Sequence, residues 1–123
     1  MIVSTKINID LYSTHLLFII ADDIYEASRK LVKHVHTDEV WTAEYAGSVH
    51  GVTIYGTNPD YSILIRTKSL TYNTIVHELY HVANAIMEKI NIDNEEATAW
   101  LIGYLAEKIF KFLESKQITV AHG

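Results

Sequence analysis

The stretch TIVHELYHVANAI, residues 74–86, decides how this chain can fold and which chemistry it can carry. Its apolar residues recur every three to four positions, which predicts an amphipathic helix, here from about Tyr72 to Lys89. Residues four apart lie on one face of a helix, so His77 and His81 are expected to point the same way. Two imidazoles one turn apart can share one tetrahedral Zn²⁺ ion.

The same pattern, His-Glu-x-x-His, places Glu78 beside the two imidazoles. Glu78 lies about 100° round the helix axis from His77, because one turn takes about 3.6 residues. It is badly placed to be a third ligand but can accept a proton from a water that the metal activates, which is why the motif is typical of metallopeptidases. The alternative is two solvated histidines, since so short a pattern arises by chance in roughly a few per cent of chains rich in these residues.

Length, charge and composition limit the classes of protein to consider. The 123 residues suffice for one domain, 1–123, and one core. A net charge of −5 gives no basic footprint for nucleic acid, and with no cysteine any metal must use His, Asp or Glu. The longest apolar run, residues 16–21, is too short to span a bilayer, and the N-terminus lacks a signal-peptide pattern. We therefore expect a cytoplasmic protein without nucleic-acid or membrane partners; the oligomeric state is left open.

Periodicity predicts the remaining elements. Alternating or continuous apolar residues predict four strands: Ile2–Ile9, a central strand Leu16–Ile20, and a hairpin of His50–Tyr55 with Tyr61–Arg66. Helical spacing predicts two further helices, Asp23–His36 and Asn94–Glu114. These elements predict an α+β fold in which a small, mostly antiparallel sheet packs against helices.

Three segments are harder to interpret. Residues 40–45 fit a short strand or an ordered loop. His34 and His36 are expected to be solvated, because positions two apart on a helix diverge by about 200°. The tail, residues 115–123, is expected to be frayed, so that His122 is disordered and not a ligand.

A zinc ion held by two histidines needs one more protein ligand if it is to keep a position open for water. The acidic residues in reach follow the motif helix: Asp93, Glu95 and Glu96. Fourteen residues separate His81 from Glu96. Because the chain reverses before the last helix, this length of chain brings Glu96 level with the histidines again.

Residues 77–81 followed by Asn94-Glu95-Glu96-Ala97 resemble the gluzincin clan of zinc metallopeptidases. The small size is similar to the minimal gluzincin-like proteins of phages and prophages, and the resemblance covers residues 72–105. It implies a zincin-like fold with the metal between the last two helices. The clan's third ligand directly precedes an alanine, which implies Glu96. Glu95 is the second choice, and its other possible role is that of an outer acceptor for a histidine N–H. Thermolysin-like members carry an aspartate where this chain has Trp100.

The expected function is zinc-dependent hydrolysis of peptide bonds in a peptide or protein substrate. His77, His81 and Glu96 would hold Zn²⁺, and Glu78 would act as general base. A donor for the oxyanion is also needed, and the candidates are three tyrosines, for which ordinary packing is the alternative role: Tyr72, Tyr80 and Tyr104. Two other functions stay open: a catalytically silent zinc-binding protein that acts through a protein partner, and a structural domain whose histidines bind nothing.

Overall fold

The protein is an α+β protein with four strands and four α-helices among the residues that its computed structural model describes, 1–32, 41–55 and 60–122. The strands and helices follow one another along the chain in this order: β1 (Ile2–Ile9), β2 (Thr14–Ala21), α1 (Ile24–Leu31), α2 (Ala43–Ser48), β3 (Gly51–Tyr55), β4 (Tyr61–Arg66), α3 (Tyr72–Lys89) and α4 (Glu95–Ser115). The chain divides into two compact units, Met1–Leu70 with the sheet and Thr71–Gly123 with α3 and α4. The predicted fold class is confirmed at this level.

The sheet has the strand order β1-β2-β4-β3. The predicted hairpin of β3 with β4 is confirmed as an antiparallel pair. The structure also pairs β1 with β2 antiparallel, whereas the middle pair, β2 with β4, is parallel. The sheet is therefore mixed, with two of three pairings antiparallel. The apolar run in β2 was predicted to be a central strand, and β2 does lie between two neighbours, with Leu16, Phe18 and Ile20 fully buried.

Helix α1 begins where the sequence predicts and ends earlier. Asp23 caps it by accepting a hydrogen bond from the backbone N–H of Glu26 at 3.1 Å. The predicted end at His36 is wrong, because α1 ends at Leu31 and Val32 is extended. Val32 lies buried in the apolar cluster of this unit. Residues 33–36, with His34, lie outside the described part.

Residues 43–45 are helical, so the predicted strand or loop over residues 40–45 is wrong there; Val40 lies outside the described residues. Helix α2 begins after Thr42, whose hydroxyl accepts a hydrogen bond from the backbone N–H of Tyr45 at 3.1 Å. Trp41, directly before this cap, is buried in the apolar cluster. A threonine cap and one buried aromatic anchor together start a helix that β-propensity alone does not predict.

A buried hydrogen bond joins Trp41 to α1. The indole N–H donates to the hydroxyl of Ser28 at 2.8 Å, and that hydroxyl donates to the carbonyl of Tyr25 at 2.7 Å. We predict that Ser28→Ala lowers the free energy of unfolding by about 1–3 kcal/mol, because it leaves the buried indole N–H without an acceptor. Urea unfolding followed by fluorescence measures this loss.

Ser48→Ala is the matched control. The hydroxyl of Ser48 also donates to a carbonyl three residues earlier, that of Tyr45, at 2.7 Å, but Ser48 is exposed. We expect this substitution to change the free energy of unfolding by less than about 0.5 kcal/mol. Equal losses in the two variants would show that the indole bond contributes nothing.

In the second unit, α3 and α4 pack against each other and run antiparallel. The ring of Tyr72, at the start of α3, lies 5.5 Å from that of Phe110, near the end of α4. The predicted bounds of α3 are confirmed, and α4 lies within one residue of its predicted bounds at each end. The predicted frayed tail is wrong, because Ala121 bridges Thr71 and accepts a hydrogen bond from the N–H of Tyr72 at 3.3 Å.

No helix in the described ranges is long and apolar enough to cross a membrane.

Candidate metal centre

Helix α3 is fixed at both ends, which sets the position of every side chain on it. At its start the hydroxyl of Thr71 accepts a hydrogen bond from the N–H of Thr74 at 3.1 Å. At its end Asn91 adopts a left-handed conformation with φ of 58°. The N–H groups of Asn91 and Ile92 then donate to the last carbonyls of the helix, at 3.1 and 2.9 Å. This paired pattern is the Schellman motif, which stops the helix without leaving those carbonyls exposed.

The structure brings His77 and His81 together, as their spacing predicts. Their Nε2 atoms lie 3.2 Å apart, and their rings are nearly perpendicular, with centroids 4.7 Å apart. The side chain of His77 is 64% exposed and His81 is half-buried, so a ligand from solvent can reach both nitrogens.

The distance between the two nitrogens fits a shared zinc ion. Zinc lies about 2.0–2.1 Å from a histidine nitrogen, and two such bonds at a tetrahedral angle hold their nitrogens about 3.3–3.4 Å apart. The observed 3.2 Å is within about 0.2 Å of that separation. Little rearrangement of the two imidazoles is therefore required for both to bind one Zn²⁺ ion.

Glu78 lies beside the imidazole pair but on the buried side of α3. Its residue surface is only 5% exposed, and its Oε2 atom lies 3.8 Å from Nε2 of His77. A buried carboxylate is costly unless other groups interact with it, and Glu78 does have a partner within the protein. This combination of burial and closeness to the imidazoles suits a proton acceptor held in one position.

The three candidate third ligands all lie before or in the first turn of α4. Asn94 caps that helix by accepting a hydrogen bond from the N–H of Ala97 at 3.1 Å. Asp93, Glu95 and Glu96 are all exposed. Among residues 1–32, 41–55 and 60–122, no three His, Cys, Asp or Glu side chains lie close enough to hold a metal ion. The structure thus joins the two histidines and does not bring one of these carboxylates to them.

The burial pattern of α4 separates the two adjacent glutamates. The buried stripe of this helix consists of Leu101, Leu105, Ile109 and Leu113. Glu95 lies at the edge of this stripe, because it has the same angular position on the helix as Leu113, about five turns later. Glu96 lies about 100° round the helix from Glu95, on the exposed face with Trp100. Glu95 is consequently the glutamate nearer to the contact between the two helices, while the motif implies Glu96.

Side-by-side zinc affinities of Glu95→Gln and Glu96→Gln identify the third ligand. Loss of an outer partner weakens metal binding by about 10–100-fold, and loss of a direct ligand weakens it further. We predict the larger loss for Glu96→Gln. A larger loss for Glu95→Gln would show that Glu95, and not Glu96, is the third ligand. If neither variant loses affinity, the third ligand is another residue, and Asp93 is the next candidate.

The three candidate tyrosines differ in their surroundings. Tyr80 is 51% exposed, and its ring lies 6.1 Å from that of His81. Tyr104 stacks on Trp100 with centroids 5.4 Å apart. Tyr72 lies against Phe110 and, at 5.5 Å, against His122. Tyr80 is therefore the one among them that contacts the histidine pair and is also accessible.

Sequence reasoning missed a cleft of about 490 Å³ between the second half of α3 and the start of α4. Its lining consists of Tyr80, Asn84, Met87, Glu88, Asn91, Ile92, Asp93, Asn94, Glu95 and Thr98. The sequence does contain a pattern that could have indicated part of this lining. Spacings of four, four and three residues, which are typical of one face of a helix, separate Tyr80, Asn84, Glu88 and Asn91.

Comparison of the chain with family models, with curated proteins and with solved structures finds no match in any of the three.

Proposed function

We propose that this protein is a zinc-dependent metallopeptidase that hydrolyses peptide bonds in a peptide or protein substrate. The observation that carries the proposal is the pair of Nε2 atoms of His77 and His81, 3.2 Å apart, with the buried carboxylate of Glu78 next to them. These residues supply two of the metal ligands, and the third is predicted to be Glu96. The wider proposal is a zincin-like fold with the metal between α3 and α4.

Bound at this site, Zn²⁺ would lower the pKa of a bound water to about 7 and would polarise the scissile carbonyl. Glu78 accepts the proton of the attacking water and passes it to the leaving amine. Because Glu78 is 5% exposed, bulk water has little access to that proton during the transfer. Tyr80 is half-exposed and its ring lies beside that of His81, so its hydroxyl is the donor proposed for the oxyanion.

Metal analysis and a peptide digest test the proposal directly. Protein purified without a histidine tag is expected to hold about one zinc per chain and to cleave a peptide library. A chelator should stop the cleavage, because it removes the group that activates the water. Failure of the protein to take up zinc on titration would refute the proposal. Tight zinc binding without cleavage would instead identify the catalytically silent zinc-binding protein.

A further inference from the structure

We infer that the cleft between α3 and α4 binds an arginine side chain of the substrate, close to the bond that is cleaved. The inference rests on the proposed function and names its substrate class: peptides with a basic residue near the scissile bond. The cleft volume, about 490 Å³, lies within the range of about 300–1,000 Å³ that is usual for ligand sites.

The charge of the cleft is negative and uncompensated. Its lining includes three carboxylates, those of Glu88, Asp93 and Glu95, and no Lys, Arg or His. The ion pairs between described residues all lie elsewhere in the chain. A cation that enters the cleft therefore meets acceptors that no basic side chain of the described ranges neutralises.

The surfaces of the cleft match the two parts of an arginine side chain. Ile92, which is 38% exposed, supplies apolar surface for the methylene stem. Asn84 and Asn91 also line the cleft, and the side-chain amide N–H of Asn84 donates a hydrogen bond to the carboxylate of Glu88 at 3.4 Å. The planar guanidinium group carries five N–H donors in a fixed arrangement, which suits several acceptors spread around a rim.

The cleft adjoins the histidine pair. Tyr80 lines it, and the ring of Tyr80 lies 6.1 Å from that of His81. Asn84, three residues after His81 and so on a neighbouring part of the helix surface, lines it as well. An arginine held in the cleft therefore places the backbone of its own peptide beside the two imidazoles.

A binding experiment tests the cleft without requiring hydrolysis. N-acetyl-arginine amide and its uncharged analogue N-acetyl-citrulline amide are titrated into the ¹⁵N-labelled full chain with a chelator present. We expect the arginine probe to shift the amide signals of Asn84, Asn91 and Asn94 and to bind at least about tenfold more tightly than the citrulline probe. Equal affinities, or shifts confined to other regions, would overturn the inference.

Two variants with the same net charge distinguish binding by the cleft carboxylates from an effect of the protein's overall negative charge. The double variant Glu88→Gln/Asp93→Asn is expected to lose the preference for arginine over citrulline. The control, Glu107→Gln/Glu114→Gln, removes the same charge from exposed positions of α4 outside the cleft and should keep the preference. Retention of the preference in the cleft variant contradicts the inference.

The peptide digest then distinguishes failure of the inference from failure of the proposed function. Cleavage enriched near arginine, and lost from that position in Glu88→Gln/Asp93→Asn, supports both. Arginine binding without cleavage of any peptide supports the cleft and refutes the peptidase. Cleavage without a preference for basic residues supports the peptidase and refutes the cleft.

Discussion

Glu78→Gln is expected to retain zinc and to lose peptide hydrolysis, with kcat/KM reduced by about 10²- to 10⁴-fold, the usual contribution of a general base. Glutamine has nearly the same shape as glutamate but no basic oxygen, so it cannot take the proton of the attacking water. Its amide fits the buried position of Glu78 better than a smaller residue would, because no cavity is created. The measurements are zinc content and peptide cleavage on the same preparation.

The control for this variant is Glu107→Gln, a carboxylate on the surface of α4 that pairs with Lys111 at 2.8 Å. It should retain both zinc and activity. Loss of zinc from Glu78→Gln would show that Glu78 is itself a ligand, and undiminished cleavage would show that it is not the base. In either case the assignment of roles to Glu78 would be wrong.

His77→Ala and His81→Ala are each expected to weaken zinc binding by well over about 100-fold, more than the loss of an outer partner costs. Each substitution removes one of the two nitrogens that lie 3.2 Å apart, and one imidazole alone cannot hold the ion in that position. Hydrolysis should fall in parallel with zinc. Isothermal titration with zinc, starting from metal-free protein, measures the change.

His122→Ala is the matched control, because its imidazole also lies in the second unit, against the ring of Tyr72. We expect it to bind zinc as the unchanged protein does. Equal zinc affinity in all three variants would mean that the metal, if it binds, uses other residues.

The parts of the fold that follow from local pattern are the parts that the sequence predicts. Helix α3 has an apolar repeat, a threonine that caps its start and an asparagine that ends it, all within the residues 71–91. Helix α2 instead begins directly after Trp41 and its neighbour Thr42, and the burial of Trp41 and its hydrogen bond to Ser28 connect residues thirteen apart. Contacts of that range leave no periodic signal in the residues around them.

In the candidate site, too, the sequence predicts what depends on one helix and does not predict what depends on the packing of two. The approach of His77 to His81 is a property of one helix, and i, i+4 spacing is sufficient to predict it. The third ligand depends on how α4 is rotated against α3, and a rotation of about 100° exchanges Glu95 for Glu96. The cleft likewise requires two helices and the turn between them, so its residues are recognised as a set only once both helices are placed.

The parallel pairing of β2 with β4 has a consequence for how the sheet assembles. Each antiparallel pair, β1–β2 and β3–β4, closes across a short loop, whereas joining β2 to β4 closes the whole connection of residues 22–60. The entropy lost on closing a loop grows with its length, and long-range pairing slows folding. The sheet is therefore expected to form from two early hairpins whose docking limits the folding rate, which stopped-flow refolding of variants in the β2–β4 contact can measure.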